Sequence, residues 1–393
     1  MENKKVMRSQ FLLWLGAAIS IAEIMTGTLL APLGLGKGVL AILVGHVIGC
    51  FLFLLPAAYI GAAQKQTAIQ STQATFGAQG VWAFSLLNAL QLLGWTAVMI
   101  VNAAQAMNGV TKRLFGVQNV VIMSVIVALL IVIWLLFDYQ WLLRINNLVV
   151  GLLFCGTLLI LVIILRTPSV APHLAVGTLS FGAAVELNVT MALSWLPVIG
   201  DYTQTKQRPL ISALTSSLGY FMGSSFMFIL GLLVVTRTGM TDVTKLLATS
   251  GLGLVALLII IFSTVTTTFM DAYSAATSVN NLTHNRRINF MAIIVTVLGL
   301  LIALGISMSR YENFLYFIGS VFTPLYAIVF TTYFVTKRSL PKLWNLLLWL
   351  FGVWSYYQLQ KINLPLGTTV GLLLLLGLLV IVSHKIYQWR VQD

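Results

Sequence analysis

The chain has 393 residues, of which 59% are hydrophobic and only 8% charged, with a mean hydropathy of +0.98. A soluble domain carries about 25% charged residues, so this composition excludes a soluble enzyme, a disordered scaffold and a secreted disulfide module. The net charge of +13 would suggest nucleic acid in a soluble chain. Here most Lys and Arg lie between hydrophobic runs and read as topology signals facing anionic lipid, with the bilayer as partner and no nucleic acid.

The apolar runs far exceed the roughly 10-residue alternating strands of a membrane β-barrel, so the expected class is an all-α integral membrane protein. A helix crosses the bilayer in about 20 apolar residues. In chain order twelve candidate transmembrane helices fall near 11–34, 38–62, 80–110, 118–137, 142–165, 180–200, 211–236, 250–278, 288–308, 312–336, 343–358 and 365–388. They leave no room for a soluble domain. Met1–Gln10 is short and basic, with no small-residue cleavage site after it, so no removable signal peptide is expected. The bias of Lys and Arg, 14 on one side (among them Lys4, Lys5, Arg8, Lys206, Arg208, Arg286, Arg287, Lys337 and Arg338) against 8 on the other (among them Lys37, Lys112, Arg113 and Lys361), predicts both termini on the cytoplasmic side of a cell (inner) membrane. Cys50 and Cys155 sit in apolar runs without partner spacing and imply neither metal nor disulfide.

Span 1 reads GAAISIAEIMTGTLLAPLG, with Glu23 among Gly16, Gly27, Pro32 and Gly34. Span 3 carries Gln91 and Trp95 four residues apart on one helix face, and Gly94 would let a planar ligand approach the backbone. Span 6 reads FGAAVELNVTMALSWLPVIGDYT, with Glu186, Ser194 and Pro197; Asp201 stands at its end beside Tyr202 and Lys206, where a local helix-end role is one of the readings left open. Span 8 contains Ser263, Thr264, Thr266, Thr267 and Thr268, five hydroxyls in six residues, followed by Asp271.

A carboxylate at membrane depth costs at least about 2.5–3.5 kcal/mol, so Glu23, Glu186 and Asp271 are expected to face a cavity or a partner. No Lys or Arg lies mid-span to pair with them, which leaves protonation, hydration, a cation or a substrate. Gly and Pro loosen the backbone ladder of spans 1 and 6, and freed carbonyls are tolerated at depth where they line a cavity. Interrupted helices at corresponding places in two halves point to a transporter site, and these two spans are five apart, as a five-plus-five inverted repeat requires. An isolated Thr back-bonds to its own helix, but a run of five hydroxyls exceeds that need. Hydroxyls and broken-helix carbonyls together suit a dehydrated Na⁺.

SIAEIMTGTLLAPLG, GHVIGC, QLLGW, SWLPVIGDYTQ and STVTTTFMDAYSAA, in this order and spacing, resemble the nucleobase–cation symporter-1 family, in its cytosine and hydroxymethylpyrimidine permease branch. The resemblance covers nearly the whole chain. It implies a five-plus-five inverted repeat (LeuT-like) in a core of residues 1–336, with repeat one near 11–165 and repeat two near 180–336. Residues 337–393 would add two C-terminal helices. It further implies Na⁺ held by the carbonyls of Gly16, Ile19 and Ser263 and the hydroxyls of Thr266 and Thr267. A pyrimidine would lie at Ser20, Gln91, Trp95, Ser194 and Thr268. Two departures matter: Ala192 stands where relatives place an aromatic, and Thr268 where cytosine permeases have Asn.

A 4-aminopyrimidine presents an amino donor beside a ring-nitrogen acceptor, and an amide or a protonated carboxyl matches that edge. Glu23 or Glu186 is therefore expected to read the amino edge while Trp95 stacks on the ring, with Asp271 a further candidate. The whole pattern predicts a secondary active importer of a small aminopyrimidine, hydroxymethylpyrimidine or cytosine, by symport with Na⁺. An H⁺-coupled nucleobase symporter and an amino-acid transporter of the same fold are the alternatives. No catalytic residue and no cofactor beyond the coupling ion are expected.

Overall fold

The computed structural model describes residues 2–137, 139–167, 178–205, 207–240, 253–283, 287–305 and 311–392. Lys206, Arg286 and the first residues of the eighth predicted span and the last of the ninth lie outside them. Every described helix is α-helical or carries a short π or 3₁₀ turn. Among the described residues nine helices are long and apolar enough to cross a membrane, or ten if one bent pair counts as a single span. Twelve were expected. Val120–Leu135 is a shorter apolar helix, and Lys342–Gln360 is rich in Trp and Tyr and buries Asn345 and Ser355; both are helical within the predicted windows. The chain forms two compact units, each assembled from three stretches of sequence.

The first unit comprises Met1–Leu40, Asn88–Leu179 and Leu218–Ser309. Its first span is two helices, α1 (Glu2–Ala18) and α2 (Ile21–Leu29), bent by 57° at the break. The break is built locally. Ile19 N–H turns back to the Gly16 carbonyl at 3.1 Å and Ser20 N–H to Ala18 at 3.0 Å, tighter than the helical ladder. Ser20 is extended (φ −140°, ψ 158°), and its hydroxyl accepts from Glu23 N–H, capping α2. Next in the chain come α3 (Gly34–Val47) and α4 (Leu55–Gln64), then α5 (Gln73–Phe115), α6 (Val120–Leu135), α7 (Tyr139–Arg166), α8 (Phe181–Leu193), α9 (Leu196–Thr203) and α10 (Pro209–Thr238). Gly219, Gly223 and Gly231 of α10 recur at multiples of four residues and share a face. A Cβ on Gly219 would stand 2.4 Å from the Phe11 carbonyl, on Gly223 2.9 Å from that of Leu15, and on Gly231 1.9 Å from that of Ile24. Backbone thus meets backbone along both halves of the broken span, and α10 splints the break.

The same unit holds α11 (Gly253–Thr283) and α12 (Ile288–Gly305); α11 packs on α1, α6, α7 and α12. In the second unit (Ala41–Leu87, Ser180–Ser217, Arg310–Asp393), span 6 is interrupted between α8 and α9 at Ser194–Trp195, with Pro197 in the first turn of α9. Gly45 and Gly49 let span 2 approach α8 at Asn188 and Ala192, and Gly61 meets Gly200 on α9. Asp201 accepts Ala68 N–H at 3.0 Å, so it fastens the chain before α5 to α9 rather than capping its own helix. The unit is completed by α13 (Tyr311–Phe330), α14 (Lys342–Gln360) and α15 (Thr368–Gln392), which close over Ala327, Tyr356, Leu372 and Leu376.

Substituting Gly231→Ala forces a methyl into the Ile24 carbonyl and is expected to destabilise by about 1–3 kcal/mol. Gly151→Ala, where a Cβ meets nothing within 4 Å, should be neutral or stabilise by up to about 1 kcal/mol. Thermal unfolding of the two purified variants checks both.

Candidate functional site

The residues expected to hold a cation all fall in the first unit, at the α1–α2 break and on α11. Thr267 Oγ1 donates across to the Ala17 carbonyl at 3.5 Å, so its hydroxyl faces the break. The carbonyls there are unevenly used. Gly16 and Ala18 accept from Ile19 and Ser20, while the Ile19 carbonyl accepts no backbone N–H among the described residues. Thr266 Oγ1 donates to the Phe262 carbonyl at 2.8 Å and to that of Ser263 at 3.2 Å, and Ser263 itself donates to Ile260. The donor set is neutral oxygen throughout, with Thr267 and the Ile19 carbonyl free of helical duty, and this suits a hard monovalent cation.

A second surface in the same unit lies where α5 meets α11. Asn88 Nδ2 donates to Ser278 Oγ at 2.8 Å, and Gln91 Nε2 donates to Asn88 Oδ1 at 3.0 Å. Further along α5, Thr96 lies against Gly299 of α12. Trp95 lies seven residues past Asn88 on α5 and Asp271 seven before Ser278 on α11, about 10.5 Å along each helix at ~1.5 Å per residue. Seven residues is close to two helical turns, so Trp95 and Asp271 lie on the same faces that meet at Asn88 and Ser278. Trp95 is buried. Thr268 is 0% exposed and its hydroxyl has no hydrogen-bond partner among the described residues. Asp271 is 3% exposed, and no hydrogen bond links it to the described residues.

The other two intramembrane acids have protein partners that their sequence neighbourhood did not reveal. Glu23 accepts from Tyr220 Oη at 2.8 Å and from Ser224 Oγ at 2.6 Å, both on α10. Glu186, in the second unit, accepts from Tyr356 Oη at 2.6 Å, Thr369 Oγ1 at 2.7 Å and Thr369 N–H at 2.9 Å. Hydroxyl and backbone donors from distant spans thus take the place of the missing Lys and Arg. Ser20 is occupied in capping α2, and Ser194 Oγ donates to the Met191 carbonyl at 2.7 Å at the end of α8. Tyr220, Ser224, Tyr356 and Thr369 were not singled out in the sequence, because nothing local distinguishes a helix-packing hydroxyl from one aimed at a carboxylate.

Residues 1–385 match the model of a family described as permeases for cytosine/purines, uracil, thiamine and allantoin. The cytosine permease of Escherichia coli K12 is 25% identical over 346 residues, spanning 82% of this chain and 77% of that protein. Among solved structures, Mhp1, a nucleobase-cation-symport-1 family transporter in a closed conformation with bromovinylhydantoin bound, superposes with a TM-score of 0.74 at 16% identity. The match covers 97% of this chain and 93% of that one. A Na⁺-coupled sialic acid symporter in a substrate-bound outward-open state gives 0.66 at 12% identity, over 96% of this chain and 88% of that one. Both share the fold.

The carboxylate contacts yield a direct expectation. Tyr356→Phe and Ser224→Ala each delete one buried donor without loss of backbone packing. Each should lower thermal stability by about 1 kcal/mol; unchanged unfolding in both would show that these bonds do not hold the spans together.

Proposed function

The chain belongs to the nucleobase–cation symporter-1 family of membrane permeases, and within it we propose a secondary active importer of a small aminopyrimidine, cytosine or hydroxymethylpyrimidine, driven by Na⁺. The relatives named above support the nucleobase class. The observation that carries the finer reading is the arrangement inside the first unit: a broken span whose Ala17 carbonyl meets Thr267, with Trp95 on the α5 face that bonds Ser278 through Asn88, and Thr268 and Asp271 buried on α11 without hydrogen-bond partners among the described residues.

In this reading Na⁺ binds the carbonyls of Gly16, Ile19 and Ser263 and the hydroxyls of Thr266 and Thr267, replacing its water with neutral oxygens. It pins the break against α11 and so fixes the surface on which the substrate lies. The pyrimidine ring stacks on Trp95, a contact worth about 1–3 kcal/mol. Gln91, Thr268 and Asp271 read its polar edge, the Asp271 carboxyl in its protonated form accepting from the amino group and donating to the ring nitrogen. Ser20, Glu23, Glu186 and Ser194 take structural parts in this reading, the two carboxyls each held by two or more donors from other helices. Loading of both ligands favours closure of the outer pathway and release to the cytoplasm, in a ten-helix inverted repeat with both termini inside the cell membrane. A proton in place of Na⁺ is the second reading, and Asp271, buried without a hydrogen-bond partner among the described residues, is what favours it.

Uptake of radiolabelled cytosine into proteoliposomes at fixed pH tests the proposal. The wild type should need an inward Na⁺ gradient, Thr267→Ala should lose the Na⁺ dependence, and Trp95→Ala should weaken apparent affinity about 10–100-fold. Uptake driven equally by a pH gradient without Na⁺, and lost in Asp271→Asn, would replace Na⁺ by H⁺. Absence of nucleobase uptake under either gradient would sink the reading.

A further inference from the structure

The second unit contains a cavity of about 470 Å³ that no transport role absorbs, walled by the end of α4, the start of α5 and the π-helical turn Thr331–Thr336 that follows α13. Its lining combines three features. Thr332 is 8% exposed, and its hydroxyl has no hydrogen-bond partner among the described residues; the same is true of the buried Gln64 Oε1. Tyr59, Tyr333 and Phe334 form an aromatic cluster, with Tyr59 6.5 Å from Tyr333 and 6.1 Å from Phe334, and the last two 4.9 Å apart edge to face. Lys337, held at φ +58° just past the π turn, sets an exposed ammonium at the rim.

The two serines of the wall are already committed. Ser71 donates to the Ala68 carbonyl and Ser339 to those of Thr75 and Leu340. Lys342 donates to the Ala74 carbonyl. What remains is a matched pair of needs. Gln64 Oε1 requires an N–H or O–H donor beside aromatic rings that favour a cation. The Lys337 ammonium requires an anion. Phe334 and Val335 are 40% and 59% exposed at the end of a helix, Tyr311–Thr336, apolar enough to cross the membrane. A ligand there has its polar part at the membrane surface and its apolar part along the protein wall.

We propose that this cavity binds the headgroup of an aminophospholipid, its primary ammonium on Gln64 Oε1 and the Tyr59–Tyr333–Phe334 rings and its phosphate on Lys337 and Thr332. The proposal rests on the membrane reading of Tyr311–Thr336 and is independent of which solute is carried. A primary amine fits better than choline, because a quaternary ammonium has no N–H to offer Gln64. It also fits better than glycerol, which brings no cation to the rings. Occupancy ties the ends of spans 2 and 10 together within the unit.

Native mass spectrometry of the purified wild type, with phosphatidylethanolamine, phosphatidylcholine and phosphatidylglycerol of matched acyl chains in competition, tests this without any variant. Phosphatidylethanolamine should be retained several-fold over the other two. Thermal unfolding should show a shift of several degrees with that lipid, falling to the phosphatidylcholine level in Gln64→Leu and in Lys337→Met. Equal retention of the three lipids overturns the proposal, as does a preference that survives in both variants. Soluble phosphoethanolamine that stabilises the protein as well as the lipid does would overturn the lipid assignment. Loss of nucleobase transport, by contrast, bears only on the functional reading above.

Discussion

In hydrocarbon, a backbone amide or carbonyl that leaves its helix finds no water, and an unmet group costs several kcal/mol. The break between α1 and α2 is shaped by that constraint. Ile19 and Ser20 fold their N–H groups back on Gly16 and Ala18, the Ser20 hydroxyl caps α2, and Thr267 of α11 donates to Ala17. The glycines of α10 bring a second backbone alongside both halves, so the bend is braced along its length. The Ile19 carbonyl accepts no backbone N–H among the described residues, and α11 beside it is rich in hydroxyls.

The same constraint sorts the three deep carboxyls. Glu23 and Glu186 each gather donors from helices far away in sequence, two hydroxyls for the first and two hydroxyls with an amide N–H for the second. Each acts as a fastening: Glu23 ties the broken span to α10, and Glu186 ties α8 to the pair α14 and α15. A positive φ at Gly367 serves the second of these, since a Cβ there would stand 2.6 Å from the Glu186 carboxyl. Asp271 is buried without a hydrogen-bond partner among the described residues, which sets it apart from the other two.

Much of this could be read from residue spacing alone. Glycines around Glu23 announced the broken first span, and the hydroxyl run of α11 announced an oxygen-rich face toward it. Gln91 and Trp95 four apart defined a face of α5, and Asn88 on that helix bonds Ser278 of α11. The division of labour among the carboxyls was not legible, because it depends on Tyr220, Ser224, Tyr356 and Thr369, and an ordinary hydroxyl in an apolar helix carries no local mark of its target. Span counting was limited for a related reason. Val120–Leu135 and Lys342–Gln360 are helical within their windows, yet the first is short and the second carries Asn345, Ser355 and Tyr356 inward, so length and hydropathy alone do not qualify them.

The central claim, that a cation at the span 1 break completes an aminopyrimidine site, is tested most directly by ligand-induced thermal stabilisation of the purified protein. The comparison spans cytosine, hydroxymethylpyrimidine, thiamine, uracil, allantoin and a panel of amino acids, each in Na⁺ and in K⁺. The account predicts stabilisation by an aminopyrimidine in Na⁺, little or none in K⁺, and a weaker effect of uracil. Stabilisation by an amino acid and by no pyrimidine, or equal stabilisation in the two salts, would contradict it.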